Sequence, residues 1–291
     1  MNRVMAALLG FALWAATPLA AQEPESRFFT TSDGYRIHYL TAGTQGSWVV
    51  LLHGYTDSAR RMWFTTGIAP ALAKTHRVVA IDHLNHGQSD RPEQGGVGRV
   101  QDVVALMDLL GITRAHIHGY SMGGAMTTTL LYEHPARFIT AGFGGSGFRE
   151  TDPDLNNLAS SFDRSAPEGA RGGRAGRGGA RSAQPAGGGQ AQTGARAGGA
   201  PATGRGGAPG GGLSVFARPL DLTKVTIPVL GINGEFDAPY AKTHRMWREL
   251  RIFHNVVLPG LTHFTAIAVG APMPPQFITS MVGFIDAYDE R

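Results

Sequence analysis

Ala115-His116-Ile117-His118-Gly119-Tyr120-Ser121-Met122-Gly123-Gly124 joins a short apolar run to a helix-like run, Met122–Glu133, of small and apolar residues. A serine at such a strand-to-helix turn is held in a strained backbone, with its hydroxyl raised above the sheet. Gly119 and Gly123 fit where side chains would collide with the neighbouring helix or strand. The following helix aims its first N–H groups at the serine and favours developing negative charge there. A bare G-x-S-x-G occurs by chance in Gly-rich chains; the strand before it and the helix after it make this one specific. The bland alternative is a Gly-rich helix entry with an idle serine.

On both sides of this turn the pattern alternates. Arg27–Thr31 and Arg36–Leu40 read as a hairpin around Asp33-Gly34. Trp48–Leu52, Arg77–Ile81, Ala115–His118 and Ile227–Ile232 are short apolar runs, as expected of buried parallel strands, with Phe138–Gly142 and Asn255–Leu258 weaker candidates. Helical spacing covers Val97–Leu110, Met122–Glu133, Lys242–Leu250 and Gln276–Tyr288. The first of these repeats Val100, Val103, Val104, Met107 and Leu110 on one face. Alternating β and α elements predict an α/β fold, with a mostly parallel central sheet flanked by helices.

A serine hydroxyl needs a base, and the base needs a carboxylate to fix its tautomer. Of eleven histidines, His263 follows the strand candidate Asn255–Leu258 in the loop Pro259–Phe264. It alone combines a post-strand loop with a chain position after both serine and acid. Asp237 follows Ile227–Ile232, with Glu235 in the same loop as a competitor; its structural alternative is an N-cap ahead of Tyr240–Leu250. The chain order Ser121, Asp237, His263 fits a Ser…Asp/Glu…His set. An oxyanion hole needs two N–H donors. Met122, the residue after the serine, supplies one, and Tyr55, after the turn at Gly54, is expected to supply the other.

Together these residues resemble the α/β-hydrolase superfamily, specifically its single-domain, esterase-like members. The oxyanion motif is matched by His53-Gly54-Tyr55, and the D-x-x-G-x-G-x-S loop in part by Asp82–Ser89. The nucleophile elbow is matched at Ser121, the acid loop at Gly234–Asp237 and the histidine loop at Gly260–His263. The resemblance covers residues 27–150 and 219–290 and implies a Ser–His–Asp triad; it says less about substrate. Two departures stand out. Asn85 replaces a glycine usual in the second motif. A Gly/Arg-rich segment occupies the place where relatives often carry a helical cap.

That segment, residues 165–212, holds 18 Gly, six Arg and one Glu, and almost no large apolar side chain. Such a composition cannot offset its ordering entropy, so the segment is expected to be disordered, dividing the folded domain into residues 22–164 and 213–291. It also carries most of the formal charge. Of the chain's +4, it contributes +5 and Arg3 another +1, which leaves −2 on the rest. The basic character therefore does not mark a nucleic-acid surface, and the Arg/Gly tract lacks the interleaved aromatics that stack on bases. It suits at most a weak attraction to anionic surfaces.

Arg3, the apolar run Val4–Ala16 and the small residues Ala20 and Ala21 read as an export signal over residues 1–21, so a periplasmic or secreted protein is expected. The run is shorter than the roughly 20 residues of a membrane span. The absence of Cys excludes disulfides, thiolate nucleophiles and Cys-based zinc sites. His83 and His86 lack an obvious third ligand, so no metal site and no cofactor are expected.

The functional expectation is hydrolysis of small-molecule or polymeric carboxylic esters through an acyl-enzyme. Amide, lactone or C–C hydrolysis by the same triad is the alternative, and a non-catalytic binding role on this scaffold is a third. Dehalogenase and epoxide hydrolase readings are disfavoured, because such relatives usually have Asp where Ser121 stands. Phe143, Phe236, Tyr240 and Phe264, together with Tyr55, Met122 and Phe148, are candidates for an apolar substrate lining.

Overall fold

The computed structural model describes residues 23–93, 98–167 and 220–289. The expected export signal, residues 1–21, and nearly all of the Gly/Arg-rich segment lie outside the described residues.

Among the described residues eight strands form one sheet. They are β1 (Glu25–Thr30), β2 (Arg36–Ala42), β3 (Trp48–Leu52), β4 (Arg77–Ile81), β5 (Ala115–Tyr120), β6 (Phe138–Gly144), β7 (Val229–Gly234) and β8 (Phe253–Leu258). Their spatial order is β1-β2-β4-β3-β5-β6-β7-β8. β1, β2 and β4 pair antiparallel, and every pair from β4 to β8 is parallel. The expected hairpin is present, with Thr30 opposite Arg36 and Gly34 at a φ of 90° in the turn. The weak candidates Phe138–Gly142 and Asn255–Leu258 are full strands, lengthened by two residues each.

Among the described residues six helices accompany the sheet: α1 (Ile68–Leu72), α2 (Val100–Leu109), α3 (Met122–Glu133), α4 (Pro153–Ser161), α5 (Pro239–Glu249) and α6 (Pro275–Ala287). α1 and α4, and a π-helical turn at Arg60–Thr65, were not legible from periodicity. α1 is too short to show a stripe, and α4 is polar, with Ala159 its one buried side chain.

Successive strand residues point to opposite faces, so the sheet builds two cores. Val50, Leu52, Ile117 and Val79 meet Val103, Leu106 and Met107 of α2 and Met126 and Leu130 of α3. Val49, Leu51 and Val78 meet Trp63, Ile68 and Leu72 on one side and Phe277 and Met281 of α6 on the other. Helices therefore cover both faces, and the loops at the C-terminal ends of β3, β5, β7 and β8 gather at one edge. Open α/β sheets place their ligands at that edge.

Candidate active site

Ser121 sits between β5 and α3 with φ 53° and ψ −109°, a conformation that a non-glycine residue adopts only when its surroundings enforce it. Those surroundings are visible. The Ser121 N–H donates to the Gly144 carbonyl at 2.8 Å. A Cβ on Gly119 would collide with the Gly123 carbonyl, and one on Gly123 with the Leu52 carbonyl. The turn is thus clamped between α3 and β3, and the hydroxyl stands at the N-terminal end of α3.

His263 Nε2 lies 3.0 Å from Ser121 Oγ, and its Nδ1–H donates to Asp237 Oδ2 at 2.8 Å. The structure brings these three side chains together from positions 142 and 26 residues apart in the chain. The loops that carry them are bonded to each other. Glu235 N–H donates to Leu258 O and Phe236 N–H to Leu261 O, both at 2.9 Å, and Gly260 N–H donates to Glu235 Oε2 at 2.8 Å. A side chain at Gly234 would collide with the Leu261 carbonyl, so the close approach of the two loops requires glycine there. Glu235, the competing acid, is thus a brace between loops and pairs with Arg164 at 2.7 Å. The His263 side chain remains 29% exposed, so the end of the line is open to a ligand.

The Tyr55 turn abuts this centre: a Cβ on Gly54 would stand 3.4 Å from Ser121 Cβ. His53, fully buried, fixes that turn. Its Nδ1–H donates to the Gly54 carbonyl at 2.7 Å, and its Nε2 accepts from His83 N–H at 3.1 Å. Burial pushes His53 down to about 4, so both bonds are made by a neutral ring. Met122 follows the serine as the first residue of α3. Its amide belongs to the unpaired first turn of a helix.

Asn85, the departure from the usual glycine, has φ 69°. Asparagine tolerates this left-handed region better than other side chains do, and the loop keeps its turn. Its N–H donates to the Asp90 carbonyl at 2.9 Å. The loop closes on the buried Asp82 carboxylate, which accepts from His38 Nδ1–H and Ala59 N–H at 2.7 Å and from Gln88 N–H at 2.9 Å. Burial alone would raise Asp82; the His38 bond and the two amides outweigh it and hold the group below its usual range.

The expected apolar lining divides. Tyr55, Tyr240 and Phe264 are exposed, and Phe236 is half-buried. Phe143 is not a lining residue: it is 1% exposed and stacks edge-on with the equally inward Phe148 at 5.2 Å. The reason is strand parity, since both faces of β6 are covered and every residue of that strand is buried. Two open clefts lie on the surface of the described residues, one of about 370 Å³ between the end of α3 and Leu220–Ile227, and one of about 320 Å³ beside Phe162, Glu235 and Tyr240. Neither is lined by a residue of the Ser121 line. Among the described residues no group of three or more His, Asp or Glu side chains is set to hold a metal ion.

Sequence reasoning missed four contributors. Tyr120, buried under His263, donates its hydroxyl to the His263 carbonyl at 2.6 Å; burial, and then the Asp237 charge, push its phenol well above the ordinary range, so it remains a donor. Gly145, at φ 56°, leaves room for the Tyr120 and His263 rings. Asp163 accepts from Tyr240 N–H at 2.8 Å and Ala241 N–H at 3.1 Å, capping α5 from outside the helix. Lys242 pairs with Asp237. None of these has a local sequence signature.

A doubly covered parallel sheet carrying a serine elbow, with an acid and a histidine on later loops, is the architecture of the α/β-hydrolase fold. The chain has the α/β-hydrolase fold, and the profile of that fold family matches residues 47–175. It is 35% identical over 139 residues to a 2-hydroxy-6-oxo-6-phenylhexa-2,4-dienoate hydrolase of Burkholderia cepacia, covering 44% of this chain and 48% of that protein. Over 105 residues it is also 35% identical to a soluble epoxide hydrolase of a Corynebacterium strain, covering 35% of each. The chain thus spans about half or less of the curated relatives it matches. The fold extends further than the sequence likeness. An α/β-hydrolase fold protein from Chitinophaga pinensis superposes with a TM-score of 0.63 at 17% identity, over 92% of this chain and 99% of that one.

Proposed function

We propose that the chain is a serine hydrolase that cleaves carboxylic esters through an acyl-enzyme. The observation that carries this reading is the continuous line from Ser121 Oγ through His263 to Asp237, at 3.0 and 2.8 Å, built on a strained elbow. In this reading Ser121 attacks the ester carbonyl while His263 takes its proton. The Met122 and Tyr55 amides receive the oxyanion. His263 then protonates the leaving alcohol, and in the second half-reaction it activates water that releases the acid. Asp237 keeps the Nε2 lone pair facing serine and stabilises the imidazolium. Exposed Tyr55, Tyr240 and Phe264 suit an apolar acyl or alcohol group.

A second reading is favoured by one finding, the 35% identity to a hydrolase of a phenylhexadienoate. The same machinery would then cleave a carbon–carbon bond beside a ketone. A panel of p-nitrophenyl esters, lactones, peptides and a 2-hydroxy-6-oxo-dienoate decides between them. The ester reading expects the highest kcat/KM on the esters. It fails if the dienoate is cleaved at least a hundred-fold better than every ester.

A further inference from the structure

Asp237 spends one oxygen on His263; the other, Oδ1, faces a cation. Lys242 Nζ lies 2.6 Å from it. Lys242 stands one turn into α5, which begins two residues after the acid, and its side chain is only 16% exposed. Nζ also donates to the Gly145 carbonyl at 3.2 Å, and the Lys242 carbonyl accepts from Phe148 N–H at 2.7 Å. The residue therefore ties the acid loop to the segment after β6, on which Tyr120 and His263 rest. A buried ammonium without a partner is costly, so Asp237 and Lys242 hold each other in place.

Burial lowers the Lys242 ammonium below its ordinary value; Asp237 and, more weakly, Asp163 oppose this, and Arg149 adds to it. The Tyr120 phenol faces Asp237 and stays neutral. Glu235 is paired with Arg164, His244 with Glu150, and Arg245 with Glu249. Lys242 is thus the cation in direct contact with the Asp237 carboxylate.

We infer that Lys242 is a positioning residue of the hydrolytic site, fixing Asp237 through Oδ1 and offsetting part of the carboxylate charge felt by the His263 ring. The inference rests on the reading of Ser121, His263 and Asp237 as the catalytic set. Two consequences follow from the geometry. The carboxylate is held at both oxygens and cannot swing away from Nδ1. The ammonium also offsets part of the negative charge that the carboxylate presents to the imidazole.

The test is the pH profile of kcat/KM for p-nitrophenyl acetate in Lys242→Met and Lys242→Gln. Without the cation the carboxylate favours imidazolium, so the acidic limb is expected to move up by about one pH unit in both. Activity at a pH on that limb then falls by about ten-fold. Gln keeps a donor for Oδ1 and is expected to retain more kcat than Met. The chain has no cysteine of its own, so Lys242→Cys can be aminoethylated at a single site with bromoethylamine, which rebuilds a side-chain ammonium and is expected to return the limb. A merely structural lysine would lower thermal stability and kcat without moving the limb. Profiles of Met and Gln variants that superpose on the parent's, or a limb that the verified adduct does not restore, overturn the inference. Ser121→Ala serves as control. If it retains turnover, the reading of the catalytic set has failed; if it is inactive while the limb stays fixed, only the role of Lys242 has failed.

Discussion

Ser121, His263 and Asp237 form one hydrogen-bonded line in this molecule, and Ser26, His38 and Asp82 form another. In the second, Ser26 Oγ is 2.8 Å from His38 Nε2, and His38 Nδ1 is 2.7 Å from Asp82 Oδ2. By residue type and distance the two can hardly be told apart. Their surroundings differ. Ser26 lies within the edge strand β1, in extended backbone rather than at the start of a helix. Its histidine is wholly buried, and its aspartate is saturated by the Ala59 and Gln88 amides. Ser121 stands on a strained elbow at the start of α3, facing the Gly54–Tyr55 turn, and its histidine is partly open. The second line stitches β1, β2 and the loop after β4; the first presents a hydroxyl where negative charge can be received. A Ser–His–Asp contact therefore does not by itself make a hydrolytic site: donors for an oxyanion and access for a carbonyl are what separate the two.

The largest expected effect tests that distinction directly. Ser121→Ala should lower kcat/KM on a p-nitrophenyl ester by about 10⁴-fold or more, whereas Ser26→Ala should leave it within about two-fold. Steady-state assays on the purified variants would break the comparison if Ser26→Ala were the one that lost turnover. Next comes stability. Asp82→Ala strips partners from the buried Ala59 amide, the part-buried Gln88 amide and a buried imidazole, and should cost about 3 kcal/mol in urea unfolding. Asp237→Ala should lower kcat as well as stability, because it takes the carboxylate from both His263 and the Lys242 ammonium, whereas Asp82→Ala should cost stability and leave kcat near the parent's. An Asp82→Ala protein as stable as the parent would contradict the structural role given to that line.

The smallest contrast lies in pH. Burial holds His53 at about 4 and His118 at about 3, against about 6.5 in an unfolded chain. Between those values the unfolded state binds more protons than the folded one. Stability from these groups is then complete above about pH 6.5, is lost as pH falls toward 4 and 3, and levels off below. By pH 5 each should cost about 2 kcal/mol. Urea midpoints at pH 7.5 and pH 5 measure the loss, and His118→Gln should reduce it. An unchanged slope would mean that His118 is not neutral in the fold.

Much of this was readable in advance because it is local or periodic. The strands announced themselves as apolar runs bounded by turn residues, and α3 began at Met122 because the elbow glycines mark its entry. Ser121, Asp237 and His263 could be nominated from chain order and loop position. Phe143 was misplaced because a strand covered on both faces shows no alternation from which to tell inside from outside. Lys242, Tyr120 and Asp163 escaped notice because their roles depend on contacts between segments distant in the chain.

The amino-acid order alone fixed the β/α alternation, the elbow and the nomination of the three polar residues, since each is written in spacing or in glycine placement within a few residues. Only the tertiary structure decided that His263 reaches Ser121, that Glu235 braces a loop while Asp237 meets the imidazole, and that a lysine stands behind the acid. Those outcomes depend on the packing of β5, β7 and β8 side by side, and on a glycine at 234 that lets two loops touch. A distance of a few ångströms between residues far apart in the chain has no local signature.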